Sequence, residues 1–131
     1  PYEGPSWRSD IDGGVAGGFD SDGVILAANI TMPEIDSGQD GNDCWGYTSA
    51  SGREYAIMGT TGGTSFIEVT QPGNPQVVGY INGPNSLWRD VKVFGEYCYA
   101  VSEGGDGIQV ISMANIDNPF ASNIRPPNGI F

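Results

Sequence analysis

One stretch of the chain occurs twice, Asp43 to Pro75 and Asp90 to Pro119, and that duplication limits the folds open to it. Tyr55-Ala56-Ile57, Gly63, Phe66-Ile67-Glu68-Val69 and Asn74-Pro75 return as Tyr99-Ala100-Val101, Gly107, Val110-Ile111-Ser112-Met113 and Asn118-Pro119, each 44 residues further on. Asp43 and Asp90 stand 47 residues apart instead, as do Tyr47 and Phe94, so the first copy carries three extra residues before Tyr55. A length change of that kind belongs in a loop, and Ser49-Ala50-Ser51-Gly52 is the place for it. A period in the low forties, made of short β runs, is the signature of a propeller blade.

Each copy reads as four strands separated by turn residues. In the first copy they are 44–48, 54–59, 65–70 and 76–81; in the second, 91–94, 97–102, 108–113 and roughly 120–124. The second and third strands of each copy are apolar on both faces, shown by Ile57, Phe66, Ile67 and Val69 and by Val101, Val110, Ile111 and Met113. A sheet covered by a neighbour on either side needs that pattern. Upstream, the apolar run Val24 to Ile30 precedes Asp43 much as Val77 to Ile81 precedes Asp90, and reads as the last strand of a preceding blade. Residues 1–23 hold six glycines without sustained periodicity and read as an irregular acidic arm. Arg125-Pro126-Pro127 ends the regular structure, because consecutive prolines cannot continue a ladder. No helix of ordinary length is visible. The expected fold is all-β: a partial β-propeller of two four-stranded antiparallel blades, about 43–82 and 90–125, plus one strand of a preceding blade, spanning 24–131 behind the arm.

Charge and composition narrow the function. Five basic residues face sixteen acidic ones, for a net charge of −11. Residues 1–43 hold nine of the acids against Arg8 alone. Such a surface repels phosphate backbones and anionic lipid, which disfavours nucleic acid and membrane-surface partners and favours cations or basic ones. The chain has no histidine, which removes Ser-His-Asp and Cys-His catalysis and His-based zinc sites. No apolar run approaches the roughly 18 residues of a membrane span. One lysine and no phosphate-binding loop leave nucleotide chemistry unsupported.

Several residues are candidates for sites. Asp10-Ile11-Asp12-Gly13 and Asp20-Ser21-Asp22-Gly23 resemble the opening of a calcium loop, without the acid about eight positions later that completes one. Solvated acidic turns and a Ca²⁺ site on Asp10, Asp12, Asp20 and Asp22 both fit. Asn29-Ile30-Thr31 is a glycosylation sequon, to be used only if the chain is secreted and the strand end exposed. Asp43 and Asp90 occupy one place in the repeat. A carboxylate there accepts backbone N–H groups in a tight turn, or takes part in a ring of acids around a channel. Trp45, Tyr47 and Trp88 are either packing residues between blades or a sugar-stacking surface. Arg53 beside Glu54 and Arg89 beside Asp90 read as ordinary ion pairs. Cys44 and Cys98 are the only cysteines; secretion favours a disulfide between them, and two buried free thiols are the alternative.

The run NDCWGYTSASGREYAIMGTTGGTSFIEV, then PGNPQVVGYI, then LWRDVKVFGEYCYAVSEGGDGIQVISM, resembles the choice-of-anchor B family of LVIVD-type β-propellers across about residues 42–119. The resemblance implies a secreted or surface-exposed propeller, normally tethered by a C-terminal anchor that varies between members. It carries no catalytic residues over to this chain, and it implies more repeats than the two present. A repeat covers its apolar faces only against neighbours. The uncovered faces are therefore expected to be filled by other protein chains or by further blades of a longer polypeptide. The function expected is a non-catalytic extracellular structural or adhesive interaction module, with glycans and Ca²⁺ as candidate ligands. Part of a carbohydrate-active propeller enzyme and a subunit of a polymeric surface fibre are the alternatives.

Overall fold

The computed structural model describes residues 7–8, 26–36 and 40–118. Two short strands come first, β1 (Trp7–Arg8) and β2 (Ala28–Asn29), and among the described residues they pair antiparallel only with each other. A single helical turn, α1 (Met32–Asp36), follows. Thr31 caps it, its carbonyl accepting the amides of Glu34 at 3.0 Å and Ile35 at 3.2 Å. Pro33 fits the first turn because its missing N–H has no intrahelical partner there. This corrects the expected strand over 24–30: residues 24–25 lie outside the described residues, and of 26–30 only Ala28–Asn29 is strand. The Thr-Met-Pro-Glu start of a helix ends it, and its partner is Trp7–Arg8, within the stretch read as an irregular arm.

The first repeat forms a meander, β3 (Gly41–Thr48), β4 (Glu54–Thr60), β5 (Gly63–Glu68) and β6 (Gln76–Asn82), each strand bonded to the next. The second forms a separate meander, β7 (Arg89–Phe94), β8 (Tyr97–Ser102) and β9 (Ile108–Ser112). The fold is thus all-β, with antiparallel sheets of four and three strands; the fourth strand expected over 120–124 lies outside the described residues. The three-residue length difference falls in the first hairpin of each sheet, between Thr48 and Glu54 in one and between Phe94 and Tyr97 in the other.

The two sheets differ in one respect that a constant spacing conceals. Trp45 lies opposite Ile57 and Ala56 opposite Ile67 in the first sheet. In the second, Lys92 lies opposite Tyr99 and Ala100 opposite Gln109. By the repeat, Ala100 would face Ile111; the pairing has slipped by two residues. A slip of two keeps every side chain on its own face, whereas a slip of one would have turned the core outward. The long Glu103–Gly107 connection, against Thr61–Gly62 in the first sheet, accommodates the change.

The core lies between the sheets. Tyr55, Ile57 and Phe66 from the first pack with Val91, Cys98, Ala100 and Ile111 from the second, closed off by Met113 and Ile116. Tyr47, Val78, Ile81 and Val93 pad its rim. Each aliphatic or aromatic side chain removed from water here contributes about 1.5–3 kcal/mol. These residues alternate along every strand with those of the opposite face, as the two-residue period of a strand requires.

Candidate functional site

Four features join the sheets or remain open at their ends, and each builds from local sequence. The first is a clasp between the opening strands β3 and β7. The Asp43 carboxylate accepts the Val91 amide at 3.0 Å and the Lys92 ammonium at 2.9 Å. Asn42 Oδ1 accepts the Arg89 amide at 3.1 Å. The Val91 amide, then Lys92, hold the Asp43 carboxyl below the usual carboxylate range, against some opposing burial. Lys92 Nζ also sits 4.6 Å from the Trp45 ring centroid, a cation–π arrangement. Asp43 therefore accepts a backbone N–H from the neighbouring sheet, besides the amide of Cys44 next to it along the chain.

The second feature is Arg89, which the sequence suggests as a surface partner of Asp90 and which is in fact 1% exposed. Neighbours on a strand point to opposite faces, so Arg89 turns into the interface while Asp90 faces solvent. Its guanidinium donates to the Thr60 carbonyl at 3.0 Å and the Pro84 carbonyl at 2.6 Å. Gln109 Oε1 lies at 3.4 Å. Two glycines make room: a Cβ on Gly59 would come within 2.7 Å of the Arg89 carbonyl, and one on Gly83 within 2.6 Å of the guanidinium. Burial lowers the Arg89 pKa, with Tyr80 and Asp36 nearby as partial compensation. Asp36 in turn accepts the Thr60 hydroxyl, and burial followed by the Asp36 carboxylate pushes Tyr80 up to about 12. Sequence reading missed this cluster because its members come from α1, β4, β6 and β7; only the two glycines beside apolar runs hint at a close approach.

At the far end of the first sheet, Arg53 pairs with Glu68 across the hairpin instead of with adjacent Glu54. It also donates to the Asp117 carbonyl at 2.7 Å, and Tyr55 Oη donates to Asp117 Oδ1 at 2.7 Å. Burial raises the Asp117 pKa, but bonds from Tyr55, Ser49 and Ser51 with the Arg53 charge outweigh it, leaving the carboxyl low. The turn after β9 is thereby tied to β4.

The fourth feature is uncovered surface. On the outer face of β7–β9, Phe94 is 80% exposed, and Tyr97, Val101 and Ile108 about 40% each, with Tyr99 and Val110 half-buried between them. Leu87 and Trp88 are exposed at the entry to β7, and Trp88 borders a 350 Å³ groove with Asp90, Val101 and Glu103. On the opposite end of the stack, Ala56, Met58 and Ile67 of the first sheet face Ala28, Ile30 and Ile35 across a cavity of about 640 Å³.

The residues singled out from sequence scatter. Tyr47 packs at the core rim, its ring 6.2 Å from Tyr55, while Trp45 and Trp88 are exposed on different strands or connections, so the three do not form one aromatic surface. Asp90 is exposed on the open face. Asn29 is half-buried in β2, opposite Trp7. Cys44 and Cys98 are both free, the first exposed and the second fully buried, so the disulfide is not formed here. Adjacent strand parity explains it: Cys44 lies on the side of β3 away from the interface, and Cys98 inside it. Asp10, Asp12, Asp20 and Asp22 lie outside the described residues. Among the described residues no helix is long and apolar enough to cross a membrane. No protein-family model, curated protein or solved structure matches the chain.

Proposed function

We propose that this chain is a non-catalytic structural and interaction module of an extracellular or cell-surface protein, its two sheets being successive blades of a β-propeller of the choice-of-anchor B type. The observation that carries the reading is the open face of β7–β9. Phe94, Tyr97, Val101 and Ile108 present contiguous apolar surface on a rigid sheet, and large exposed apolar patches mark sites of association. The clasp and the Arg89 cluster give that surface its rigidity by locking one sheet against the other.

The test has two parts, both on the whole chain. An apolar fluorescent dye should bind the native protein, and Val101→Glu with Ile108→Glu should remove most of that binding. A screen on chromogenic glycosides should show no turnover above buffer. Turnover that co-purifies with the chain and scales with its concentration overturns the module reading in favour of a carbohydrate-active enzyme.

A further inference from the structure

The two repeats stack head to tail, and this is visible from which face each residue type occupies. Tyr55, Ile57 and Phe66 form the face of the first sheet that receives the second. Their counterparts 44 residues on are Tyr99, Val101 and Val110. These lie on the outer face of the second sheet, not on the buried one. Conversely Ala56 and Ile67, on the outer face of the first sheet, correspond to Ala100 and Ile111 in the core. The second sheet therefore offers outward the kind of face on which it is itself seated. The two-residue slip in pairing leaves this intact, because it preserves side-chain parity.

The polar clasp is repeated as well. Asp43, which holds the Val91 amide and Lys92, has its counterpart in Asp90. Asp90 is exposed and makes no side-chain bond among the described residues. Tyr47, at the rim of the core, has its counterpart in Phe94 at 80% exposure. Two aromatics (Tyr99 and Phe94), two β-branched residues (Val101 and Val110) and the Asp90 carboxylate thus hold the places of the residues that bind β7–β9 to β3–β6, with Val110 where the first sheet has Phe66. Nothing is seated on them among the described residues.

We propose that the outer face of β7–β9 is the seat of a further antiparallel sheet of the same repeat. Its chemistry is set by what the second sheet presents to the first. It carries a small aliphatic face like Val91, Ala100 and Ile111, about 10 Å above the receiving sheet. Its opening strand turns a backbone N–H and the following lysine toward Asp90. This names the partner of the face described under the module reading and rests on that reading.

The experiment uses the whole chain with residues 83–131 repeated after Phe131, so that the probe is a third sheet of known sequence. Docking predicts slow amide exchange in the appended β7–β9 and loss of most of the apolar-dye binding that its absence leaves at Val101 and Phe94. It also predicts an unfolding midpoint above that of the unextended chain. Val101→Glu in the original copy should abolish protection in the appended strands while leaving the original two sheets protected, since Val101 lies outside their shared core. Asp90→Asn should weaken protection less. Unprotected appended strands beside a folded original overturn the proposal. Self-association of the unextended chain that Val101→Glu abolishes, with the appended strands still unprotected, also overturns it, in favour of a second copy docking by another surface. Neither result depends on glycoside turnover, so a failure here and a failure of the module reading are told apart.

Discussion

Replacing Arg89 is the sharpest probe of how the two sheets are held together. Arg89→Met keeps most of the side-chain volume while deleting donors to Thr60 O and Pro84 O, both at the buried interface. Each carbonyl left without a partner in a dry site costs about 1–3 kcal/mol. Relief from burying a guanidinium returns part of this, since burial already lowers the Arg89 pKa. The net expectation is a loss of about 2–4 kcal/mol, a large share of the 5–15 kcal/mol available to a domain. With a urea slope of about 1–1.5 kcal/mol per molar for a chain of this size, the midpoint should fall by about 2 M. Arg89→Lys should recover less than half, because an ammonium cannot span two carbonyls set apart to match the guanidinium fork. Equilibrium urea unfolding followed by tryptophan fluorescence measures both. An Arg89→Met midpoint within about 0.3 M of the parent, at unchanged slope, would refute the claim that Arg89 is a structural hub.

Other perturbations follow from the same geometry. One thiol, Cys44, should react with a colorimetric disulfide reagent in the native state, and Cys98 only on unfolding; a reagent count of zero in denaturant would mean the two are paired after all. Burial pushes the Cys98 thiol up to about 12, so the stability it contributes is complete below its unfolded pKa near 9 and is lost as pH rises toward 12. Thermal scans should show a loss of about 1 kcal/mol by pH 10 that Cys98→Ala diminishes. Asp43 behaves oppositely: its folded pKa is depressed, so its contribution holds above about pH 4 and fades on acidification, and Asp43→Asn should flatten that acid limb by no more than about 1 kcal/mol because Lys92 is exposed. Thr64 is fully buried and its hydroxyl finds no partner among the described residues, so Thr64→Val should be neutral or stabilising by about 1 kcal/mol in urea unfolding.

Much of this was legible along the chain because a strand repeats every two residues and a turn announces itself in Gly, Pro and Asn. The spacing of Tyr55 from Tyr99 and of Gly63 from Gly107 implies two like units, and the pairings within β3–β6 and β7–β9 are those of two separate meanders. The surplus at Ser49–Gly52 reads correctly as loop, since an insertion inside a strand would have turned its apolar residues outward. What local pattern could not supply was which neighbour each polar group reaches. Arg53 and Arg89 each stand beside an acid in the chain, yet strand parity sends both elsewhere, to Glu68 and to the carbonyls of Thr60 and Pro84.

Sequence alone determined the class of the protein: an acidic, histidine-free chain of short strands built from a duplicated unit, with apolar residues on both faces of each copy. Only the tertiary structure decided which of those faces is covered. Tyr55 and Tyr99 are the same residue in the same place of the repeat, and one is 2% exposed beneath the second sheet while the other borders solvent. A repeat specifies its own strands through local preference and pairing, but whether a face is buried depends on what stacks upon it, and that is a property of the assembled sheets.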